Sequence, residues 1–372
     1  MKVTFVNYYY DRDVPTSEYF NKYPVIHGWS KALSDLGVRV DVYQRFRNDD
    51  SFTKDGVNYF LVRDSKRAEL KWNQNPALFH EKICQGDHNI IHINSFSYSY
   101  QSYILKRLVP SAKIVIQHHA EKPGNKIKHI LLKYFSSSSD GFIFSSKEIY
   151  KEWVKVGAIL PDKKFAEIME GSSDFSFQDR SDMRKKTNLT GNPVFLWVGR
   201  LNENKDPLTV LSGFSKLLNE YPNAKLYLIF SESELEHKIH LFIEQNSVLK
   251  NNVKLLGFIE HRDICVYYNS ADYFVLGSHY EGSGFSLVEA MSCGVIPLVT
   301  DIPSFRMMTD NGNIGALWKC GDPDSFYEKA KVLLKKSIAV EMKKTLSYFT
   351  GNLSYTAIGV KARQFYESLI GD

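Results

Sequence analysis

Short apolar runs alternate along this chain with longer stretches whose apolar positions recur at helical spacing, which predicts strand and helix in turn. Lys2–Asn7 reads as a buried strand, Val25–Leu36 as a helix closed by Gly37, and Val38–Tyr43 as a second strand. A βαβ opening of this kind implies a parallel sheet. Gly56–Val62 has hairpin character. A helix is then expected near Pro76–Cys84, a strand at Ile90–Asn94, a helix ending near Leu108 and a strand at Lys113–Gln117. Ser136–Gly141 reads as a loop into the strand-like Phe142–Ser146, and Lys147–Val156 as a helix. Phe165–Met169 is the last strand expected before Gln178–Asn192, a polar and charged stretch that reads as a linker.

The same rhythm resumes beyond it. Strands are expected at Pro193–Val198, Lys225–Phe230, Val253–Phe258, Ala271–Gly277, Val295–Thr300 and Leu317–Lys319. Helices are expected over Pro207–Leu218, near Glu234–Asn246, and over Ile264–Asn269 and Asp324–Lys335, with Thr300–Phe305 as a loop. A final helix near Tyr355–Leu369 would pack back across the domain junction. The expected fold is therefore α/β, with two Rossmann-like domains facing each other across a cleft. Their expected bounds are 1–175, a linker over 176–192, then 193–350, with the C-terminal helix in 351–372. A length of 372 residues agrees, being too long for a single core.

The stretch richest in chemistry is His279–Gly294, set between two expected strands. Open α/β sheets bind ligands beyond the carboxyl ends of their strands. Gly282 and Gly284 allow a tight turn there. The amides of Gly284, Phe285, Ser286 and Leu287 would face outward at a helix start, an anion site suited to a phosphate or diphosphate. Glu281 would lie in the turn. Glu289, about one turn into the helix, is placed to accept two hydroxyl hydrogen bonds, as a carboxylate does with a ribose diol. Both glutamates are also explained as surface charges near a helix start. Arg200 and Lys205 follow Gly199 across a polar loop at a strand end, where cations can clamp a departing diphosphate or simply be solvated. His118 and His119 end the strand Lys113–Gln117, where a catalytic side chain belongs; a ring bonded to backbone is the structural alternative.

Composition narrows the class. Hydrophobic residues make up 43% and charged residues 24%, which suits a folded globular chain. Aromatics reach 14%, mostly core, with ring-lined clefts as the alternative. A net charge of +5 is compatible with phosphate-bearing partners but is no nucleic-acid signature. Lys122, Lys126, Lys128, His129 and Lys133 interleave with Ile127, Ile130, Leu131, Leu132 and Phe135, a pattern that can lie on an anionic membrane or form a solvated helix face. The four cysteines lack paired spacing for metal or disulfide work, and three sit in surroundings typical of buried thiols. The first turn has no G-x-G-x-x-G, which argues against a dinucleotide enzyme. With no secretory leader and no apolar run of about 18 residues, a cytoplasmic location is expected.

Two motifs then carry a resemblance. One is Glu281-Gly282-Ser283-Gly284-Phe285-Ser286-Leu287-Val288-Glu289, continuing through Ala290–Val299; the other is Trp197-Val198-Gly199-Arg200-Leu201 with Lys205 and Asp206. Weaker matches lie at Asp140–Ser146 and Glu170–Phe177. In this order they resemble the retaining glycosyltransferase family four, the glycosyl transferases group 1 of the GT-B fold. The resemblance implies transfer of a hexose from a nucleotide-sugar donor to a glycan or lipid-linked acceptor, as in cell-surface polysaccharide or glycolipid synthesis. It implies the donor as co-substrate and no divalent metal. Gly199, Arg200 and Lys205 would then meet the diphosphate, Glu289 the ribose and Glu281 the donor sugar, with the amides from Gly284 to Leu287 on sugar and phosphate. His119, with His118 as second choice, would touch the sugar's reacting face. Peripheral contact with the inner face of a membrane is a further expectation. The chain departs from the family pattern at Tyr8–Ser17, an aromatic loop that can stack on a sugar, and at Ser231–Leu235, near the expected nucleotide base. The alternatives are a non-catalytic sugar-nucleotide or glycan-binding subunit and a nucleotide-sugar epimerase.

Overall fold

The computed structural model describes residues 1–11, 13–64 and 68–371. Arg12 in the aromatic loop and Asp372 at the end of the expected final segment thus lie outside the described residues. The chain divides into two compact units, Met1–Gly171 with Tyr355–Asp372, and Ser172–Ser354.

The first unit is built on an eight-stranded sheet. Its strands are β1 (Lys2–Asn7), β2 (Arg39–Phe46), β3 (Asp50–Lys54), β4 (Val57–Arg63), β5 (Ile90–Asn94), β6 (Lys113–Gln117), β7 (Gly141–Phe144) and β8 (Lys164–Glu167). They lie in the order β3-β4-β2-β1-β5-β6-β7-β8, parallel except for the β3–β4 hairpin. The hairpin turn is Asp55-Gly56, with φ of 50° and 74°, the doubly left-handed turn that matches strand twist. Strands covered on both faces need near-continuous apolar sequence, and β1 is buried from Val3 to Asn7.

Helix α1 (Pro24–Asp35) starts with proline at its first position and ends in a Schellman motif. There Gly37 has φ of 81°, the Val38 N–H donates to Leu33 O at 3.1 Å, and the Gly37 N–H donates to Ser34 O at 2.9 Å. Further helices are α2 (Ser99–Leu108), α3 (Lys126–Ser136), α4 (Arg180–Thr187), α5 (Pro207–Leu217), α6 (His261–Ser270), α7 (Phe285–Ser292), α8 (Pro303–Met308), α9 (Ile338–Tyr348) and α10 (Tyr355–Ile370). The last of these packs on α1 within the first unit. The Tyr355 ring occupies the space beside Gly28, so closely that a Cβ there would lie 2.2 Å from it, and Gly359 lies against Ala32. Tyr366 donates to His92 Nδ1 at 2.6 Å, and His92 Nε2 donates to Gln117 at 3.0 Å. Burial pushes His92 down to about 3, so the ring stays neutral in this network.

The second unit holds β9 (Val194–Gly199), β10 (Lys225–Phe230), β11 (Val253–Gly257), β12 (Tyr273–Leu276), β13 (Ile296–Thr300) and β14 (Ala316–Trp318). These six run parallel in the order β11-β10-β9-β12-β13-β14. The chain moves outward from β9 to β11, then crosses to β12 on the other side of β9. Strand order therefore reverses between β9 and β12, which makes their carboxyl ends the place for a ligand.

Three expectations are corrected. Gln178–Asn192, expected as a linker, contains α4. Its inward face carries one buried apolar residue, Met183, and otherwise charge in place of the apolar stripe that announces a helix: Arg180 and Arg184 reach Asp272 at 2.9 and 2.7 Å, and Asp272 also accepts the Val194 N–H at 2.7 Å. Thr300–Phe305, expected as a loop, already contains the first turn of α8, led by Pro303. Of the four cysteines, all free, only Cys293 is buried, and Cys84 is exposed.

Candidate functional site

The loops that leave β9 and β12 are laced to each other. Asp206, with φ of 41°, caps α5 through the Thr209 N–H at 3.2 Å and meets His279 Nε2 at 3.0 Å with its other oxygen. The His279 N–H donates to Asn204 O at 2.8 Å, and Asn204 Nδ2 donates to Tyr280 O at 3.0 Å. Gly277 makes this approach possible, since a Cβ there would stand 2.7 Å from Asp206 O and 3.1 Å from Lys205 O. Those are backbone carbonyls with no freedom to swing aside. Gly277→Ala is expected to cost about 1–3 kcal/mol, read as a lower urea midpoint with an unchanged slope. An unchanged midpoint would mean that the two loops are not tied in this way.

On this frame Lys205 Nζ pairs with Glu281 Oε1, both side chains nearly buried at 11% and 12% exposure. Two residues singled out from the sequence are thus brought together, and each is the other's partner. Arg200 differs. It follows Gly199 at the end of β9 but is 55% exposed, and its contact with Glu232 is 3.8 Å, a solvated pair of small energetic weight. Glu232 belongs to the loop Ser231–Leu235, held beside Arg200 by the Leu201 N–H to Glu232 O bond at 2.9 Å and by the Leu235 N–H to Leu201 O bond at 2.9 Å.

Helix α7 begins at a left-handed Gly284 with φ of 55°, where a Cβ would also meet Phe305 at 2.7 Å. It ends in the same device as α1, with Gly294 at φ of 75° and the Val295 N–H on Ala290 O at 3.0 Å. The set of outward amides is smaller than expected. Leu287 is fully buried and its N–H already donates to Gly284 O at 2.9 Å, so the helix start offers the amides before it.

Glu289 is nearly covered, and α6 holds both of its oxygens: His261 Nε2 lies 2.6 Å from Oε1, and Tyr268 donates to Oε2 at 3.0 Å. Each carboxylate oxygen retains a further acceptor site, so a diol can still be bound. The Glu289 hydrogen bond raises the His261 pKa against the opposing effect of burial, while Phe175 lies beside the ring at 5.1 Å. Sequence reasoning missed His261 and Tyr268. Their spacing, which places both on one face of α6, was the available signal.

In the first unit, His118 and His119 separate clearly. His118 is buried, stacks on Phe144 at 4.9 Å and meets Glu121 O at 2.9 Å through Nε2, the backbone-bonded alternative. His119 is one-quarter exposed, with Nδ1 2.5 Å from Glu170. Glu170 and Glu121 were not picked out from the sequence as its partners; Glu121 holds the His119 N–H at 2.6 Å and the Phe96 N–H at 2.8 Å. Burial opposes charging of the His119 ring, but the Glu170 carboxylate, helped by Glu121, outweighs it and raises the pKa. The pair therefore stabilises the unit fully below the unfolded value of about 6.5 and loses that contribution as pH rises through the raised value. Glu170→Gln should lower the thermal midpoint more in mildly acidic than in alkaline buffer. An equal loss at both would remove the ion-pair account. In the aromatic loop, Tyr8 and Tyr10 are buried and Tyr8 bonds His80 at 2.8 Å, which corrects the stacking platform to Tyr9 alone, 36% exposed.

Among the described residues, no group of three or more His, Cys, Asp or Glu is placed to hold a metal ion. No described helix is long and apolar enough to cross a membrane.

Two Rossmann-like lobes of largely parallel sheet, the second with a glycine-led helix start at its switch point, define the GT-B class. Residues 179–350 match the family model for Glycosyl transferases group 1. The chain is similar to mannosylfructose-phosphate synthase of Agrobacterium fabrum, 27% identical over 320 residues that cover 73% of this chain and 69% of that one. It is also similar to GDP-mannose:cellobiosyl-diphosphopolyprenol alpha-mannosyltransferase of Xanthomonas campestris, 33% identical over 121 residues, 32% of each chain. Among solved structures it is similar in fold to sucrose-phosphate synthase from Thermosynechococcus elongatus, with a TM-score of 0.75 and 16% identity over 100% of this chain and 99% of that one. The chain thus has the GT-B fold, and its residues 179–350 are similar to glycosyl transferases group 1.

Proposed function

We propose that the protein transfers a hexose, with retention, from a nucleotide-sugar donor to a glycan or lipid-linked acceptor, at the inner face of a membrane and in the making of a surface polysaccharide or glycolipid. The observation that carries this reading is the joint placement of Lys205, Glu281 and the start of α7 at the carboxyl ends of β9 and β12. In it, Arg200 and Lys205 hold the diphosphate, Glu289 the ribose and Glu281 the sugar. The amides of Gly284, Phe285 and Ser286 face the anion. His119 is kept as the contact to the sugar, supported by its partly exposed ring and by the resemblance.

In the step itself, the bond from the anomeric carbon to the diphosphate oxygen breaks and a bond to the acceptor oxygen forms on the same face. The acceptor's proton passes to the departing phosphate oxygen. Cations and helix amides aimed at that oxygen stabilise the charge as it develops. The names of the two curated relatives, a synthase forming mannosylfructose phosphate and a transferase using GDP-mannose and a diphosphopolyprenol acceptor, support the donor and acceptor classes.

The test is a donor screen with UDP-, GDP-, ADP- and TDP-sugars in the absence of acceptor, following binding and slow nucleotide release. Saturable binding of one donor with trace hydrolysis is expected. A nucleotide-linked sugar of changed stereochemistry would indicate an epimerase instead. Binding with no release would favour a non-catalytic subunit, and no binding by folded protein would overturn the site.

A further inference from the structure

Helix α3 shows three strips of side chains. Leu132 and Ser136 are buried in the first unit. Leu131 and Phe135, with Trp72, Tyr100 and Lys128, line an open apolar groove of about 340 Å³. Ile127, Ile130 and Tyr134, three and four apart, form a third strip that is 71%, 68% and 57% exposed. Trp72, at the groove, is 56% exposed. Isolated apolar residues at a surface need no explanation, but a continuous strip that leads into a groove does.

Charge around the strip identifies what covers it. Lys126 and Lys133 flank it, Lys128 stands on the groove rim, and Lys122 precedes the helix. On α2, Arg107 lies over the Tyr103 ring at 4.2 Å, and the Tyr103 hydroxyl is 3.2 Å from that of Tyr134, so the positive rim continues there. Between Ser95 and Ser136 the sequence has one acid, Glu121, and it is turned inward to the backbone of Phe96 and His119. An apolar strip framed by cations, with no acid facing it from its own segment, matches the interface of an anionic bilayer: hydrocarbon below, phosphates beside.

We propose that this face docks on an anionic lipid bilayer, with Ile127, Ile130, Tyr134 and Trp72 at the acyl boundary, the lysines on lipid phosphates and one hydrocarbon chain entering the groove. Its purpose rests on the lipid-linked acceptor proposed above, but the docking is measured without donor or acceptor, so the two readings fail separately.

The experiment mixes the full chain with phosphatidylcholine vesicles prepared with and without phosphatidylglycerol, followed by sedimentation. Acyl-brominated lipid serves as a quencher. Trp29, Trp153, Trp197 and Trp318 are buried to 2% exposure or less, so quenching reports Trp72. Binding should require phosphatidylglycerol, weaken with salt and quench Trp72. Each of Lys126→Glu, Lys128→Glu and Lys133→Glu should lower partition about fivefold or more. The pair Ile127→Ser with Ile130→Ser should abolish the quenching while leaving the thermal midpoint unchanged, these side chains being exposed. Absence of binding by folded protein, or binding without quenching of Trp72, would overturn the proposal. So would self-association that Ile127→Ser removes, which would assign the face to a second copy of the chain.

Discussion

Glu289→Gln should weaken donor binding by about 100-fold while leaving the fold nearly as stable. The proposed ribose contact uses two hydrogen bonds to a charged acceptor, each worth about 1.5–3 kcal/mol, and the amide offers one neutral oxygen in their place. The carboxylate is pre-set by Tyr268 and His261, so little ordering is needed when the donor arrives. The ribose is untouched by the chemistry. The loss should therefore fall on KM and leave kcat largely in place. Glu289→Ala is the harsher change, because the buried Tyr268 hydroxyl then loses its acceptor at about 1–3 kcal/mol in stability. Tyr268→Phe keeps the carboxylate and should change affinity far less than either. Calorimetry with the donor found in the screen measures all three. Unchanged affinity in Glu289→Gln would remove the ribose assignment.

Lys205→Ala should act on the opposite constant, with kcat lower by about 100- to 1,000-fold. A cation on the diphosphate matters most when the bond to the sugar is breaking and negative charge gathers on the leaving oxygen. The same change strands the Glu281 carboxylate, so a fall in stability will accompany the fall in rate. The two effects separate in a double-variant cycle. Lys205→Ala with Glu281→Ala removes both charges and should recover much of the urea midpoint, yet none of the turnover. Recovery of turnover along with stability would make Lys205 a structural partner of Glu281 and nothing more.

What could be read from the sequence follows from where each interaction lies along the chain. Lys2–Asn7 and Lys225–Phe230 were legible to the residue because each is a short, mainly apolar run, as a parallel strand covered on both faces tends to be. Helix α4 was not, because Arg180 and Arg184 fasten it to Asp272 and leave no apolar period to find. The aromatic loop misled for a related reason. Arg45 is fully buried in β2, donates to Tyr8 O at 2.9 Å and lies 5.5 Å from the Tyr10 ring, so an inward charge draws two tyrosines in with it. At the candidate site, the loops bearing Arg200, Lys205 and Glu281 were legible as strand ends. The pairings were not. Lys205 with Glu281, His119 with Glu170 and Glu289 with His261 each join segments whose adjacency depends on strand order or helix packing, which no local pattern encodes.

The position of α10 has a consequence for how the molecule is made. Residues from Tyr355 onward complete a unit that begins at Met1, whereas Ser172–Ser354 contains everything the second unit needs. Synthesis runs from the N-terminus, and domains fold as units as they emerge. On the ribosome, then, the earlier-made unit is the later finished: the nascent first sheet stands with Gly28 and Ala32 uncovered and with His92 lacking Tyr366. A premature stop just before Tyr355 would leave the second unit's residues all present and spoil the half of the protein encoded farthest from the lesion.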